Sequence, residues 1–518
     1  MNTRTSLQIA LGIVSVVLVG AAGAWLFLAK NDTANVAGSD VEFVSKKLAT
    51  IASKYADAVG DFVFDITGTS VAYLVQDGDK IRAVLNGSEG KAYDDITFGA
   101  WGDRYAAEKA FGPSARELMY IATDAGKQFV VQGDIEGKRY DKVERLLFSG
   151  DGTHTAYAAT NFGSSKSSFW KHRSRLVLDG VEQEPYNSVA PIRFLASGEL
   201  VWSGTNYPTS SSMEEVLVIG AKKSKTYAHI EPSISADGKA LAYSAVDADR
   251  RSTIHVIWAN GNEEEIVGGG ATMNPTGTLI IYLEREGTKW HTVVRRQDGT
   301  SFASDGLVVA LSETGDHVAL QSRTASGQSV VIVDGEKETP YDFVTGIRFS
   351  PDGSQVAYIA ATGKPVNAVP QFVVINGRAQ PQQYGDILQP LVFSPDSERL
   401  AYSARDENAS QFIRGEKSTG VFVVVDGERL GVKYPSSGIS SLNFSPDSKH
   451  VVYTVMNIVD QTAFSRKYFL VVDGKAFATY DYLDMPITGP RFSADGKMIA
   501  YGARRGNELW WIAEDIPD

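Results

Sequence analysis

The side chains best equipped for chemistry are scattered along this chain. Its seven histidines are His154, His172, His229, His255, His291, His317 and His450, and no two stand at the i, i+4 spacing of a helical metal site. They are expected to serve as surface or packing residues. Asp151, Asp237, Asp352, Asp396, Asp447 and Asp495 share one context, two residues after a Ser and just before a Gly or Ser. A calcium site would need such carboxylates to converge. Six copies of one turn would point them in different directions, so they are read as turn caps. Asp247-Ala248-Asp249 is a loop pair with no third candidate ligand beside it. There is no Gly-x-Ser-x-Gly elbow, no phosphate-binding Gly-x-x-x-x-Gly-Lys-Ser/Thr loop and no calcium-loop pattern. With no cysteine, disulfides, thiolate metal sites and cysteine nucleophiles are excluded. No catalytic residue, metal or cofactor follows from the sequence, and the chain is read as a non-enzyme.

What remains is a set of basic and aromatic residues. Asn161–Arg175 carries Lys166, Phe169, Trp170, Lys171, Arg173 and Arg175, and no acid. Arg405–Gly420 carries Arg405, Phe412, Arg414 and Lys417; Asn457–Lys467 carries Phe464, Arg466 and Lys467. Arg and aromatic side chains anchor interfaces. On a chain of net charge −12, which argues against a nucleic-acid partner, these stretches point to an acidic protein, a peptide or an anionic envelope component. The alternative is that they are solvated loops.

The elements that position these stretches repeat. An aromatic or apolar residue recurs with a Tyr nine positions later: Phe64/Tyr73, Phe111/Tyr120, Phe148/Tyr157, Ile234/Tyr243, Met273/Tyr282, Phe349/Tyr358, Phe393/Tyr402, Phe444/Tyr453 and Phe492/Tyr501. Leu311/Leu320 keeps the spacing without the Tyr, and Phe194/Trp202 fits with one residue deleted. That makes eleven copies, 37 to 51 residues apart, the signature of solenoids, propellers or arrays. Between opener and Tyr lies a turn such as Ser350-Pro351-Asp352-Gly353, where Asp accepts backbone hydrogen bonds and Gly supplies positive φ. A later β-branched run ends in Asp-Gly or Asn-Gly, as in Val423-Val424-Val425-Asp426-Gly427, a strong hairpin signal. Most copies then close on a Tyr: Tyr93, Tyr140, Tyr186, Tyr227, Tyr341, Tyr384, Tyr434 or Tyr480.

Four antiparallel strands per copy predict an all-β chain of β-propeller blades, each burying its faces on its neighbours. The last copy has only three strands. Lys54–Val59 resembles Lys138–Val143, so a strand near 54–59 is expected to complete the last blade; a helix over Val44–Val59 is the competing reading. Eleven blades exceed the usual four to eight per ring. Two tandem rings, five blades plus six, are therefore expected, with a single oversized ring as the alternative.

The Phe-Ser-Pro-Asp-Gly…Ala-Tyr pattern resembles the repeat of TolB-type propellers and of related WD-like repeats in bacterial exported proteins. The same repeat type occurs in the propeller domains of prolyl oligopeptidase relatives. The resemblance covers roughly residues 54–515 and concerns turn and core positions, so it carries over no active site. It implies a periplasmic scaffold role.

Residues Ser6 to Ala29 carry no charge, and about 20 apolar residues span a bilayer as a helix. Arg4 precedes the run; Lys30 follows it directly, with Asp32, Asp40 and Glu42 soon after. This predicts a signal anchor over 1–30, a linker over 31–43 and a repeat region over 44–518 on the extracytoplasmic side of the inner membrane. Cleavage near Ala22-Gly23-Ala24 is the alternative. In function the chain is read as a membrane-tethered, non-enzymatic interaction scaffold. A propeller binding a glycan or small ligand in its central funnel, or an enzyme working there, is the other reading.

Overall fold

The computed structural model describes residues 41–516 apart from 42, 56–58, 66, 99–110, 112–117, 163–170, 210–211, 364–368, 407–419, 435–437, 461–464 and 485–489. They form eleven antiparallel sheets, ten with four strands in simple meander order. We number these blades 1 to 11. They span residues 59–93, 95–136, 142–186, 188–223, 229–267, 269–304, 307–337, 343–379, 386–434, 439–480 and 482–515, and 46–50 joins the last.

The repeated spacing sets the register. Openers pair with the residue seven positions on, at or beside the start of the second strand: Phe349 with Val356, Phe393 with Leu400, Phe444 with Val451. In blade 4 the partner of Phe194 is Leu200, one residue nearer, as the deletion requires. Successive side chains of a strand point to opposite faces. In blade 9, Leu400, Tyr402 and Ala404 therefore pack against blade 8 while Ala401 packs against blade 10. Both faces are buried, so the second strands read as continuous apolar runs.

Eleven apolar clusters fill eleven seams, one for each pair of successive blades. The last seam joins blade 11 to blade 1, with Leu509 and Trp511 against Phe64, Val71 and Tyr73. The protein is one closed ring of eleven blades. The expected two rings are not formed: blade 1 packs on blade 11 and not on blade 5, so no five-blade ring closes. Instead blade 5 packs on blade 6 through Ile254 and Val256, and blade 6 on blade 7 through Ile281 and Val294.

Closure also corrects the position of the N-terminal strand. Lys46–Thr50, not 54–59, is the outer strand of blade 11. Lys46 pairs with Trp511 and Thr50 with Glu508, with a bulge between Lys47 and Ala49. The predicted stretch instead holds the 3-10 turn Ser53–Tyr55 and, at Val59, the start of blade 1. That single turn is all the helix seen between Val44 and Val59 among the described residues. Pairing the first strand with the last protects a sheet edge that would otherwise stay open. The predicted membrane anchor over 1–30 lies outside the described residues; no described helix is long and apolar enough to cross a membrane.

The ring has two faces. The turn face carries the turns between first and second strands and the hairpins between third and fourth. The connection face carries the loops between second and third strands and the links from blade to blade.

Candidate binding face

The motif residues are engaged in holding the turn face together. In blade 8, Ser350 Oγ donates to Asp352 Oδ1 at 2.6 Å and accepts the Gln355 N–H at 2.9 Å. Asp352 Oδ1 also accepts the Ser354 N–H, and Gly353 follows at φ 77°. Asp151 makes the same turn in blade 3, where hydrogen bonds from Ser149 and Thr153 hold its carboxyl down at about 2. The turns also link to one another, since Asp352 N–H donates to Ser397 Oγ and Asp396 N–H to Ser448 Oγ. The hairpin residue of the third strand returns to the same place. Asp179, Asp334, Asp426 and Asp473 each accept the N–H that opens the second strand, at 2.8–3.0 Å, and Asn86 and Asn376 do so in blades 1 and 8. Each hairpin residue has φ near +50°, as the tight turn demands.

This wiring brings Ser, His and Asp together three times: Ser149/His154/Asp179, Ser312/His317/Asp334 and Ser445/His450/Asp473. None is a nucleophilic triad. Each Ser Oγ accepts the backbone N–H of the His, while the imidazole Nδ1 pairs with the Asp at 2.6–2.7 Å. A nucleophile needs its hydroxyl on the imidazole. The Asp179 bond raises the His154 pKa above its ordinary value. Among the described residues, no group of His, Asp and Glu could hold a metal ion.

The connection face is held by a device the sequence analysis did not single out. An acid follows the closing Tyr and caps the next blade. Asp94 accepts the Ala125 N–H at 2.7 Å, Asp141 the Phe162 N–H at 2.8 Å, Asp342 the Gly363 N–H at 2.6 Å and Asp481 the Gly506 N–H at 2.7 Å. Lys80, Lys127 and Lys467 pair with Asp94, Asp141 and Asp481 from the preceding blade. The Tyr-Asp pairs at 93–94, 140–141, 341–342 and 480–481 were the available signal.

Against that background the predicted binding residues divide. Lys171 and Arg173 stand exposed where the third strand of blade 3, Arg173–Leu178, begins. Arg466 is exposed near the start of the third strand of blade 10, Ser465–Val472. No described residue forms an ion pair with any of the three. Arg175, in contrast, lies 3.6 Å from Glu182 within its own blade. Arg405 donates to Asp386 at 2.9 Å in blade 9, with the two side chains 17% and 19% exposed. Lys166, Phe169, Trp170, Phe412 and Arg414 lie outside the described residues. Blades 3 and 10 are four steps apart round the ring, through 11, 1 and 2. The structure thus places two basic stations on one face and does not merge them.

No protein-family model matches the sequence, and no curated protein is significantly similar to it. Solved structures resemble it at low identity. The propeller domain of the Trilobed protease from Pyrococcus furiosus is 12% identical, with 56% of this chain and 98% of that chain covered and a TM-score of 0.28. TolB from Acinetobacter baumannii is 13% identical over 54% of this chain and 63% of its own, at a TM-score of 0.20. The tricorn protease is 13% identical over 86% of this chain and 47% of its own, at 0.26. The likeness is one of fold. At such scores it adds nothing to what the eleven sheets themselves define.

Proposed function

We propose that this ring is a non-enzymatic interaction scaffold whose connection face takes an acidic protein, a peptide or an anionic envelope polymer. In this reading Ser6–Ala29 tether it to the inner membrane, with the ring on the extracytoplasmic side. One observation carries the binding reading. Lys171, Arg173 and Arg466 are exposed and without a described ionic partner, whereas Asp94, Asp141 and Asp481 on the same face are each held by a lysine and a backbone N–H. Exposed cations steer anionic partners and speed their arrival. The tether rests on the uncharged run, Arg4 before it and the acids Asp32, Asp40 and Glu42 that outnumber Lys30 after it.

The full chain in detergent, tested against immobilised polyglutamate, is expected to bind in a salt-dependent way. The triple charge reversal Lys171→Glu, Arg173→Glu and Arg466→Glu should weaken that binding at least about tenfold without moving the melting temperature. Undiminished binding overturns the basic-station reading. Separately, the ring should be cut by protease added to intact spheroplasts, and its complete protection would overturn the assigned side of the membrane.

A further inference from the structure

The two basic stations look toward each other across blades 11, 1 and 2. Arg173, Arg175 and Val177 share one face of their strand, and Val177 packs against Met119, Ile121 and Val130 of blade 2. Arg466 shares its face with Tyr468 and Leu470, and Leu470 packs against Ile499 and Tyr501 of blade 11. The three blades between them are closed by tight hairpins, whose last paired rungs are Arg505 with Glu508, Asp77 with Lys80 and Asp124 with Lys127. In blade 3, Arg173 pairs with Asn161 at the matching rung. In blade 10, Arg466 pairs with Ile458 one rung higher.

The floor between the stations is low and nearly uncharged. Its hairpin tips are Gly506-Asn507, Gly78-Asp79 and Ala125-Gly126, all exposed. A Cβ added at Gly78, Gly126 or Gly506 would meet nothing within 4 Å, so nothing crowds these tips. Just beneath them Lys80, Lys127 and Lys47 are paired with Asp94, Asp141 and Glu508. Asp79 is the one charged residue among the tips. On the reading that Lys171, Arg173 and Arg466 bind anions, we infer that this saddle takes a single polypeptide segment, whose two acidic clusters reach both stations at once while an uncharged stretch crosses blades 11, 1 and 2.

The size of the ring sets the length of that stretch. Sheets packed about 10 Å apart place eleven blades on a circle about 17 Å in radius at mid-blade. With strands about 4.8 Å apart, the third strands stand about 20 Å from the axis, and four steps of eleven separate the stations by roughly 35 Å. Side chains that lean toward each other bring the charges to about 30 Å, the reach of about nine extended residues. A uniformly charged polymer would hold anions over Asp79, which repels them; a neutral centre avoids this. Lys171 and Arg173 are two residues apart, at most about 7 Å between Cα atoms, a spacing that carboxylates at i and i+2 of an extended chain match. Two modest contacts joined by a chain of the right length bind about 10²–10⁴ times more tightly than either alone.

Polyproline is a ruler of about 3.1 Å per residue. Peptides with three glutamates at each end and 4, 10 or 18 prolines between hold their acidic clusters about 12, 31 or 56 Å apart. Fluorescence anisotropy at low salt, with the full chain in detergent, should show the middle length binding tightest, at least about tenfold over the shortest, with the longest in between. Arg466→Glu should bring the middle peptide down to the level of the shortest, and so should Lys171→Glu with Arg173→Glu. An affinity that does not depend on length, or a length preference that survives these variants, overturns the saddle; if polyglutamate still binds, the stations stand without it. Failure of polyglutamate itself to bind removes the stations, and the saddle with them.

Discussion

Closure of the ring through the N-terminal strand makes Ile51 a sharp probe. Its side chain is 1% exposed and packs in the seam between blades 11 and 1 with Tyr55, Phe64, Val71 and Trp511. Its N–H donates to Asn507 O at 2.7 Å, fastening the end of Lys46–Thr50 to the last hairpin. Ile51→Ala removes three buried carbons, worth roughly 2.4 kcal/mol at about 0.8 kcal/mol each. The cavity term brings the expected loss to about 2–5 kcal/mol. Neither blade 11 nor blade 1 can collapse inward, because each is also packed on its other neighbour. Repeat arrays need not unfold in one step, so the informative assay is native-state hydrogen exchange. Protection should fall first in Glu508–Asp515 and in blade 1, and least in blades 5 to 7 on the far side. Uniform loss round the ring, or no loss in Glu508–Asp515, would refute closure by this strand.

Two further outcomes follow from the turn face. Asp473→Ala leaves the Val451 N–H without its 2.8 Å acceptor and frees His450, and should cost about 1–2 kcal/mol, read by urea titration. The His154 imidazole should titrate above 6.5 by NMR and fall toward that value in Asp179→Asn, because the carboxylate hydrogen bond is what raises it. Its contribution to stability is present below the unfolded pKa near 6.5 and disappears as pH rises through the folded value; a pH profile unchanged in Asp179→Asn would count against this.

The register of the sheets was legible because one spacing recurred. Phe349 and Tyr358 stand nine apart, so a turn of fixed length must join their strands, and the pairing of Phe349 with Val356 follows. The closing strand was harder. Tyr55 occupies the position of Tyr93 and Tyr140, donating to a Glu of the next blade as they do, which is why Lys54-Tyr55 looked like the missing strand. The strand itself, Lys46–Thr50, has no Asp-Gly before it, because its hairpin partner lies at the other end of the chain. Ring number was not written in any copy, since every seam uses the same kind of packing whichever ring it belongs to. Among the binding candidates, Arg405 read as a free cation because Asp386 lies 19 residues earlier, and only the register brings the two together. Lys171, Arg173 and Arg466 needed no such knowledge, because nothing described across the sheet competes for them.

Eleven seams built to one plan have an evolutionary consequence. Each blade meets only the blade before it and the blade after it, and the end strand joins the last blade as a fourth strand joins any other. A duplicated or deleted copy would therefore find the same partners waiting on both sides. It would alter only the share of a full circle that each junction must supply. Unequal recombination between copies could change the circumference of this protein one blade at a time, with no intermediate that leaves an apolar face uncovered.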